Sequence, residues 1–327
     1  MHAVKRSFPC YYRRAWSIFL QAMISILEGI SPVFLVIFLG FISRRMGFLP
    51  DLFISSANRL VYFIAIPILV YDEISRGSFS QSFDPYQITG TFVAVGSIAI
   101  ASYLLARVLR VPGGGVATFS QTSFHGNLGY VGLAVVFYTL GPEGRGTASV
   151  LAGFLILFQN VLAIAMFTFI TGGEKRTDLR SMGKFLGNPI ILATILGLIS
   201  SAAGIRAPLF LERSFRIVGD MALPLALLII GGSLKPASAR RIQLVAFSTT
   251  FKLLLLPLVG SLIFRAMGVA APQAGTAVIL LASPSATVTY IMASEMGGEP
   301  DLAAAAVTIS TVLSIATYTF WIAVMGG

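Results

Sequence analysis

Apolar stretches of about twenty residues, nearly free of charge and set apart by short polar or charged links, recur along this chain. That is the length a helix needs to cross a hydrocarbon layer roughly 30 Å thick at about 1.5 Å of rise per residue. In lipid each backbone amide must be satisfied within its own segment, so repeated spans of this kind fold as helices. The fold class is therefore an all-α membrane protein. Ten spans are expected, at 25–45, 53–74, 86–109, 114–140, 146–171, 185–204, 212–234, 243–266, 272–296 and 302–325.

Composition closes off other classes. Of 327 residues, 56% are hydrophobic and 11% charged, against about 25% charged in ordinary soluble domains. One cysteine, Cys10, leaves no intrachain disulfide framework, and His2 and His125 are too few for a Cys/His metal site, so no metal and no cofactor is expected. The formal charge of +10 sits mostly in the links between spans, where Lys and Arg set topology; no nucleic-acid partner is expected.

The longest link, Gly172 to Gly183, is charged and falls after the fifth span. Sliding the chain by 157 residues places Pro32 on Pro189, Gly40 on Gly197, Ser43 on Ser200 and Gly47 on Gly204. The same offset then places Arg59 on Arg216, Val61 on Val218 and Pro67 on Pro224, without a gap. The chain thus reads as a first five-helix repeat at 23–172, a cytoplasmic connector at 173–183 and a second repeat at 184–327. Five is odd, so the second repeat enters the membrane from the opposite face and the two are inverted. Inverted repeats suit alternating access around a site near the membrane midplane.

Orientation follows from the basic residues. Odd-numbered links carry more of them, among them Arg44, Arg45, Arg107, Arg110, Lys175, Arg176, Lys235, Arg240 and Arg241, and are expected to be cytoplasmic. Both termini are then non-cytoplasmic, which conflicts with Lys5, Arg6, Arg13 and Arg14 in the leader. Residues 1–22 read as an extension ahead of Met23, with a signal-like segment as the alternative.

Two spans break their own pattern. In span four, Ser120 to Gly132 places Gly126, Gly129 and Gly132 with His125 and Asn127 at membrane depth. Each glycine costs a helix about 1 kcal/mol relative to alanine, and unwound backbone at that depth persists only beside protein or a water-filled cavity. Close helix packing through small residues is the alternative reading of the glycines. The 157 offset carries Asn127 onto Pro284, inside Leu281 to Thr289 of span nine, where the proline removes a donor and disturbs the preceding turn. Matching interruptions in two inverted halves point to a transport site, since freed amides and half-helix N-termini receive an anion. The substrate expected is a small organic anion such as a mono- or dicarboxylate.

These runs resemble the auxin efflux carrier family, also called the membrane transport family, which is similar in fold to the bile acid sodium symporters. The resemblance spans about 23–325 and rests on Gly126 to Gly132, Asn188-Pro189, Ala222 to Leu227 with Gly231 to Leu234, and Ser283 to Thr287. It implies a ten-helix, two-repeat permease whose fourth and ninth helices are broken and cross near the substrate, beside a scaffold that is often dimeric. Family members move auxin in plants and malate, malonate or similar carboxylates in bacteria. The short central link resembles the bacterial type, which implies a cell membrane (plasma or bacterial inner) location. One departure stands out: the family often has proline soon after the asparagine-glycine run, whereas Ala134 stands there.

The substrate-binding candidates are therefore Gly126, Asn127, Gly129, Pro284, Ser285 and Thr287, with Asn127 as donor and Ser285 and Thr287 in support. Gln159 and Asn160 in span five either bind the carboxylate or satisfy an interhelical contact. Coupling to protons or sodium has four candidates. Asp220 and Asp72 either couple or sit at solvated ends. Lys252 either attracts the anion or snorkels to the interface, and His125 either titrates or packs. Two rival classes remain: an intramembrane enzyme, for which no paired carboxylate or nucleophile–base set is visible, so no enzymatic activity is expected, and a membrane receptor or scaffold, for which no appended signalling domain is visible.

Overall fold

The computed structural model describes residues 24, 28, 31–76, 83–171, 189–234 and 242–326. The N-terminal extension at 1–22 and the connector at 173–183 lie outside the described residues. Within them the chain is helical, with no strand beyond one isolated bridge. In chain order the helices are α1 over 31–45, α2 Asp51–Arg76, α3 Pro85–Val108, α4 Gly113–Phe124, α5 Leu128–Thr139 and α6 Gly141–Thr171. There follow α7 Pro189–Ala202, α8 Leu209–Ser233, α9 Ile242–Ala266, α10 Ala271–Leu281, α11 Val288–Glu295 and α12 Pro300–Gly326. Six of these (α2, α3, α6, α8, α9 and α12) are long and apolar enough to cross a membrane, which makes this a multi-pass membrane protein.

Local chemistry sets the ends. Pro85 opens α3 behind Asp84, whose carboxylate accepts from the amides of Tyr86 at 2.8 Å and Gln87 at 3.3 Å, pairing donors a helix start leaves free. α1 and α7 stop in the same way. Gly47 and Gly204 take positive φ, 83° and 67°, and the next amide returns to Ser43 and Ser200 respectively, each at 2.9 Å. Both glycines and both serines are 157 residues apart in the sequence.

Prolines leave their mark inside two helices. α2 opens into a wide turn at Val61–Ala65 just ahead of Pro67, and α9 does so at Phe251–Leu255 ahead of Pro257. The ring crowds the carbonyl four residues earlier, and one extra residue in the turn relieves it. In α9 that wide turn carries Lys252.

Close packing follows the small residues. A Cβ at Gly40 of α1 would strike the carbonyl of Leu228 in α8, and one at Gly231 of α8 would strike that of Ile37. A Cβ at Gly197 of α7 would lie 3.0 Å from Ile74 Cβ and 3.4 Å from the carbonyl oxygen of Tyr71 in α2. Backbones meet this closely only where no side chain intervenes, which is how helices associate when lipid supplies no hydrophobic drive.

Candidate functional site

The two interrupted spans meet each other. α4 ends at Phe124 and α5 begins at Leu128; α10 ends at Leu281 and α11 begins at Val288. Between these pieces the extended segments pair antiparallel, Gly126 against Ser285. The Asn127 amide donates to the Pro284 carbonyl at 2.7 Å, and the Ala286 amide donates to the His125 carbonyl at 2.9 Å. Backbone groups freed by the breaks are thus satisfied across the crossing, as burial in an apolar layer demands. The break in α4 forms without the proline missing at Ala134: glycine at 126 and a wide turn at Leu128–Gly132 are sufficient.

Side chains then brace it. Gln159 of α6 accepts from the Gly126 amide at 3.1 Å through Oε1 and donates to the Phe124 carbonyl at 3.2 Å through Nε2. Ser285 donates its hydroxyl to the Thr122 carbonyl at 2.8 Å, and its amide donates to Ser310 Oγ at 3.0 Å. Lys252 donates to the Leu281 carbonyl at 2.7 Å and is 0% exposed. The snorkelling reading of Lys252 made from the sequence is thereby corrected, because its side chain has no exposed surface; it does not line the crevice described next. Span prediction places a residue by depth alone, and the wide turn of α9 aims this one inward.

A crevice of about 350 Å³ lies on one side of the crossing. His125, Gly126, Asn127, Gly129 and Thr287 line it, with Asn160 from α6 and Asn58, Arg59 and Tyr62 from α2. Asn127 is 6% exposed, its Nδ2 has no hydrogen-bond partner, and its side-chain oxygen makes none of the capping bonds usual at a helix start. Thr287 sits at the start of α11 and likewise makes no capping bond. Tyr130 donates to Asn58 Oδ1 at 2.7 Å, fixing α2 against α5 at the crevice wall. His125 Nδ1 lies 3.4 Å from Gln121 Nε2.

The candidates therefore divide. Gly126, Asn127, Gly129, Asn160 and Thr287 face one space together with His125, whereas Gln159, Ser285 and the Pro284 carbonyl are engaged in holding the crossing together. Asp72 lies away from the crevice in an ion pair with Arg76 at 2.7 Å, and Arg76 reaches Glu212 of α8 at 3.5 Å. Asp220 is exposed on α8 and does not line the crevice. Arg59 was missed as a site residue. The repeat register marked it, and an arginine six positions inside the expected span 53–74 was itself the signal.

A multi-pass helical protein with two helices broken against each other beside a polar crevice is the class that fold and site define. The family described as Membrane transport protein matches residues 25–322, and the chain belongs to it. A relative from Rhizobium meliloti, named "Putative malonate transporter", is 27% identical over 300 residues, covering 88% of this chain and 92% of its own. One from Methanothermobacter thermautotrophicus, named an uncharacterized transporter, is 24% identical over 310 residues, 91% of this chain and 98% of its own. Another uncharacterized transporter, from Escherichia coli, is 21% identical over 299 residues, 89% and 95% of the two chains.

Proposed function

We propose that this protein is a secondary carrier that moves a small organic anion bearing a carboxylate by alternating access, and that the crevice beside the crossing receives it. The observation that carries this reading is Asn127, which lines the crevice and whose side-chain Nδ2 is a buried donor with no partner. An unpaired buried donor costs about 1–3 kcal/mol, a cost that a bound acceptor removes. Thr287 and Asn160 add polar groups on either side, and Arg59 supplies a cation, with no shared side chain tying it down among the described ion pairs. The name of the Rhizobium meliloti relative agrees with a carboxylate.

The architecture we infer is ten spans in two inverted five-helix repeats, with α4–α5 as the fourth span and α10–α11 as the ninth. Support comes from exchanged contacts. Gly40 meets the carbonyl of Leu228, and Gly197 meets that of Tyr71; the two glycines are 157 apart, and so are Tyr71 and Leu228. Such swapping is what a pseudo-two-fold relation produces. Asn127 and Pro284, also 157 apart, touch each other, which agrees with a crossing on that axis. Rocking of the crossing against α1, α2, α7 and α8 would then expose the site to each side in turn.

The test is uptake of labelled mono- and dicarboxylates into proteoliposomes under imposed pH or sodium gradients. Saturable flux that falls about 10- to 100-fold in Asn127→Ala is expected. Wild-type flux in the Asn127→Ala protein would remove the assignment, and product formation or partner capture without flux would favour an enzyme or a receptor.

A further inference from the structure

α4 and α10 both end inside the protein, and a helix end carries unsatisfied carbonyls and about half a negative charge. α4 is closed by a neutral amide, that of Gln159 on Phe124. α10 is closed by a whole positive charge: the Lys252 ammonium donates to the Leu281 carbonyl, and the side chain has no exposed surface. Among the described ion pairs none joins Lys252 to a carboxylate. A buried ammonium without a counter-ion is costly, so the negative end of α10 is what holds it there.

Its neighbours show how close to the working parts it stands. Lys252 Cε and Nζ both lie 3.1 Å from the point where a Cβ would project from Gly126, and the Ser283 hydroxyl abuts the same point. Ser283 Oγ is buried without a hydrogen-bond partner. The ammonium therefore packs beside Gly126, the residue before Asn127, and does not line the crevice. A helix-end carbonyl on a charge-bearing centre, with an idle hydroxyl close by, offers oxygens of the kind a small inorganic cation takes, here met from within.

We propose that Lys252 is a tethered cation that takes the place of a bound metal ion at the broken end of α10, so that the crossing holds its shape and the carrier cycles without sodium or potassium at this point. This rests on the transport reading for its flux arm alone. The experiment compares wild type, Lys252→Ala, which empties the site, and Lys252→Met, which fills it with a neutral chain.

The first arm is the melting temperature of the purified protein in choline, sodium, potassium and ethylammonium chlorides at equal ionic strength. Wild type is expected to be indifferent to the cation; Lys252→Ala is expected to melt lower and to recover with ethylammonium or sodium, by mass action on the emptied site, whereas Lys252→Met stays low. The second arm is carboxylate uptake, expected to be equal in sodium and choline for wild type, down about tenfold or more in both variants, and partly restored by ethylammonium in Lys252→Ala alone. Specific stabilisation of wild type by sodium, a sodium requirement for its flux, or wild-type behaviour of Lys252→Met would overturn the proposal. Should Lys252→Ala fail to fold, the wild-type and Lys252→Met arms still decide it. Should wild type move no carboxylate, the transport reading fails while the melting arm still judges Lys252.

Discussion

α4 and α10 stop within a few residues of one crossing, yet they stop on different chemistry. The first breaks at Gly126 and Asn127; the second breaks at Ser283 and Pro284, the residues at the same offset in the other half. Asn127 gives its backbone amide to Pro284, and its side-chain Nδ2 is left without a partner. Pro284, with no amide to give, offers only its carbonyl. The first half thus leaves a donor unpaired at its break, and the second half is braced: Ser285 is bonded on both sides and Lys252 closes the helix end. On the reading proposed above, two breaks at one offset serve binding in the first half and support in the second.

The largest expected effect attacks the asymmetry where the halves touch. Gly126→Val drives a side chain into Ser283 and Lys252, an overpacking that costs about 1–3 kcal/mol or more in a filled core; little folded protein and no flux are expected by size-exclusion profile and uptake. At the equivalent position Ser283→Ala removes a hydroxyl that has no partner, so stability at or slightly above wild type is expected. Equal damage at both positions would break the comparison.

Asn127→Ala comes next. It leaves the backbone bond to Pro284 in place, so the melting temperature should hold while flux falls about 10- to 100-fold, the worth of one hydrogen bond to a charged group. A matching loss of stability would mean that Asn127 braces the crossing instead of serving a ligand.

Gln159→Leu orphans the Gly126 amide and the Phe124 carbonyl together, and a loss of about 2 kcal/mol is expected in thermal or denaturant unfolding. Asn160→Leu, one residue along and facing the crevice, is expected to spare stability and weaken uptake. Exchange of those two outcomes would reverse the roles assigned to the pair.

The smallest effect separates Arg59 from Arg216. Arg59 lines the crevice, whereas Arg216 lies 3.7 Å from Glu212 on the exposed side of α8. Arg59→Gln is expected to raise KM a few-fold, more for dicarboxylates than monocarboxylates and less at high salt, as for a partly solvated charge pair. Arg216→Gln is expected to leave KM measured from the crevice side unchanged, and a shared shift in both variants would assign the effect to overall field.

Much of this was legible in the residues. Hydropathy over twenty positions is a local property, so the long apolar helices could be read directly; the breaks could be read as well, because Gly126 and Pro284 disturb a helix whatever surrounds them. The register of 157 needed only the sequence, and it anticipated the shared turns at Gly47 and Gly204. Ser285 was harder: its hydroxyl looked available to a ligand, and only the approach of α4 shows it spent on Thr122. Asp72 and Asp220 could be placed by depth but not by company.

What the sequence determined by itself is the membrane class, the register of 157 residues and the location of the two breaks, because each follows from composition or spacing along the chain. What only the tertiary structure decided is where each polar side chain in the apolar layer finds its partner. Gln159 and Asn160 are adjacent, yet on a helix consecutive residues point about 100° apart. One staples the crossing and the other faces the crevice. Lys252 has an inward direction for the same reason, a turn of backbone set by a proline five residues on, and no local pattern states which helix end waits there to receive it.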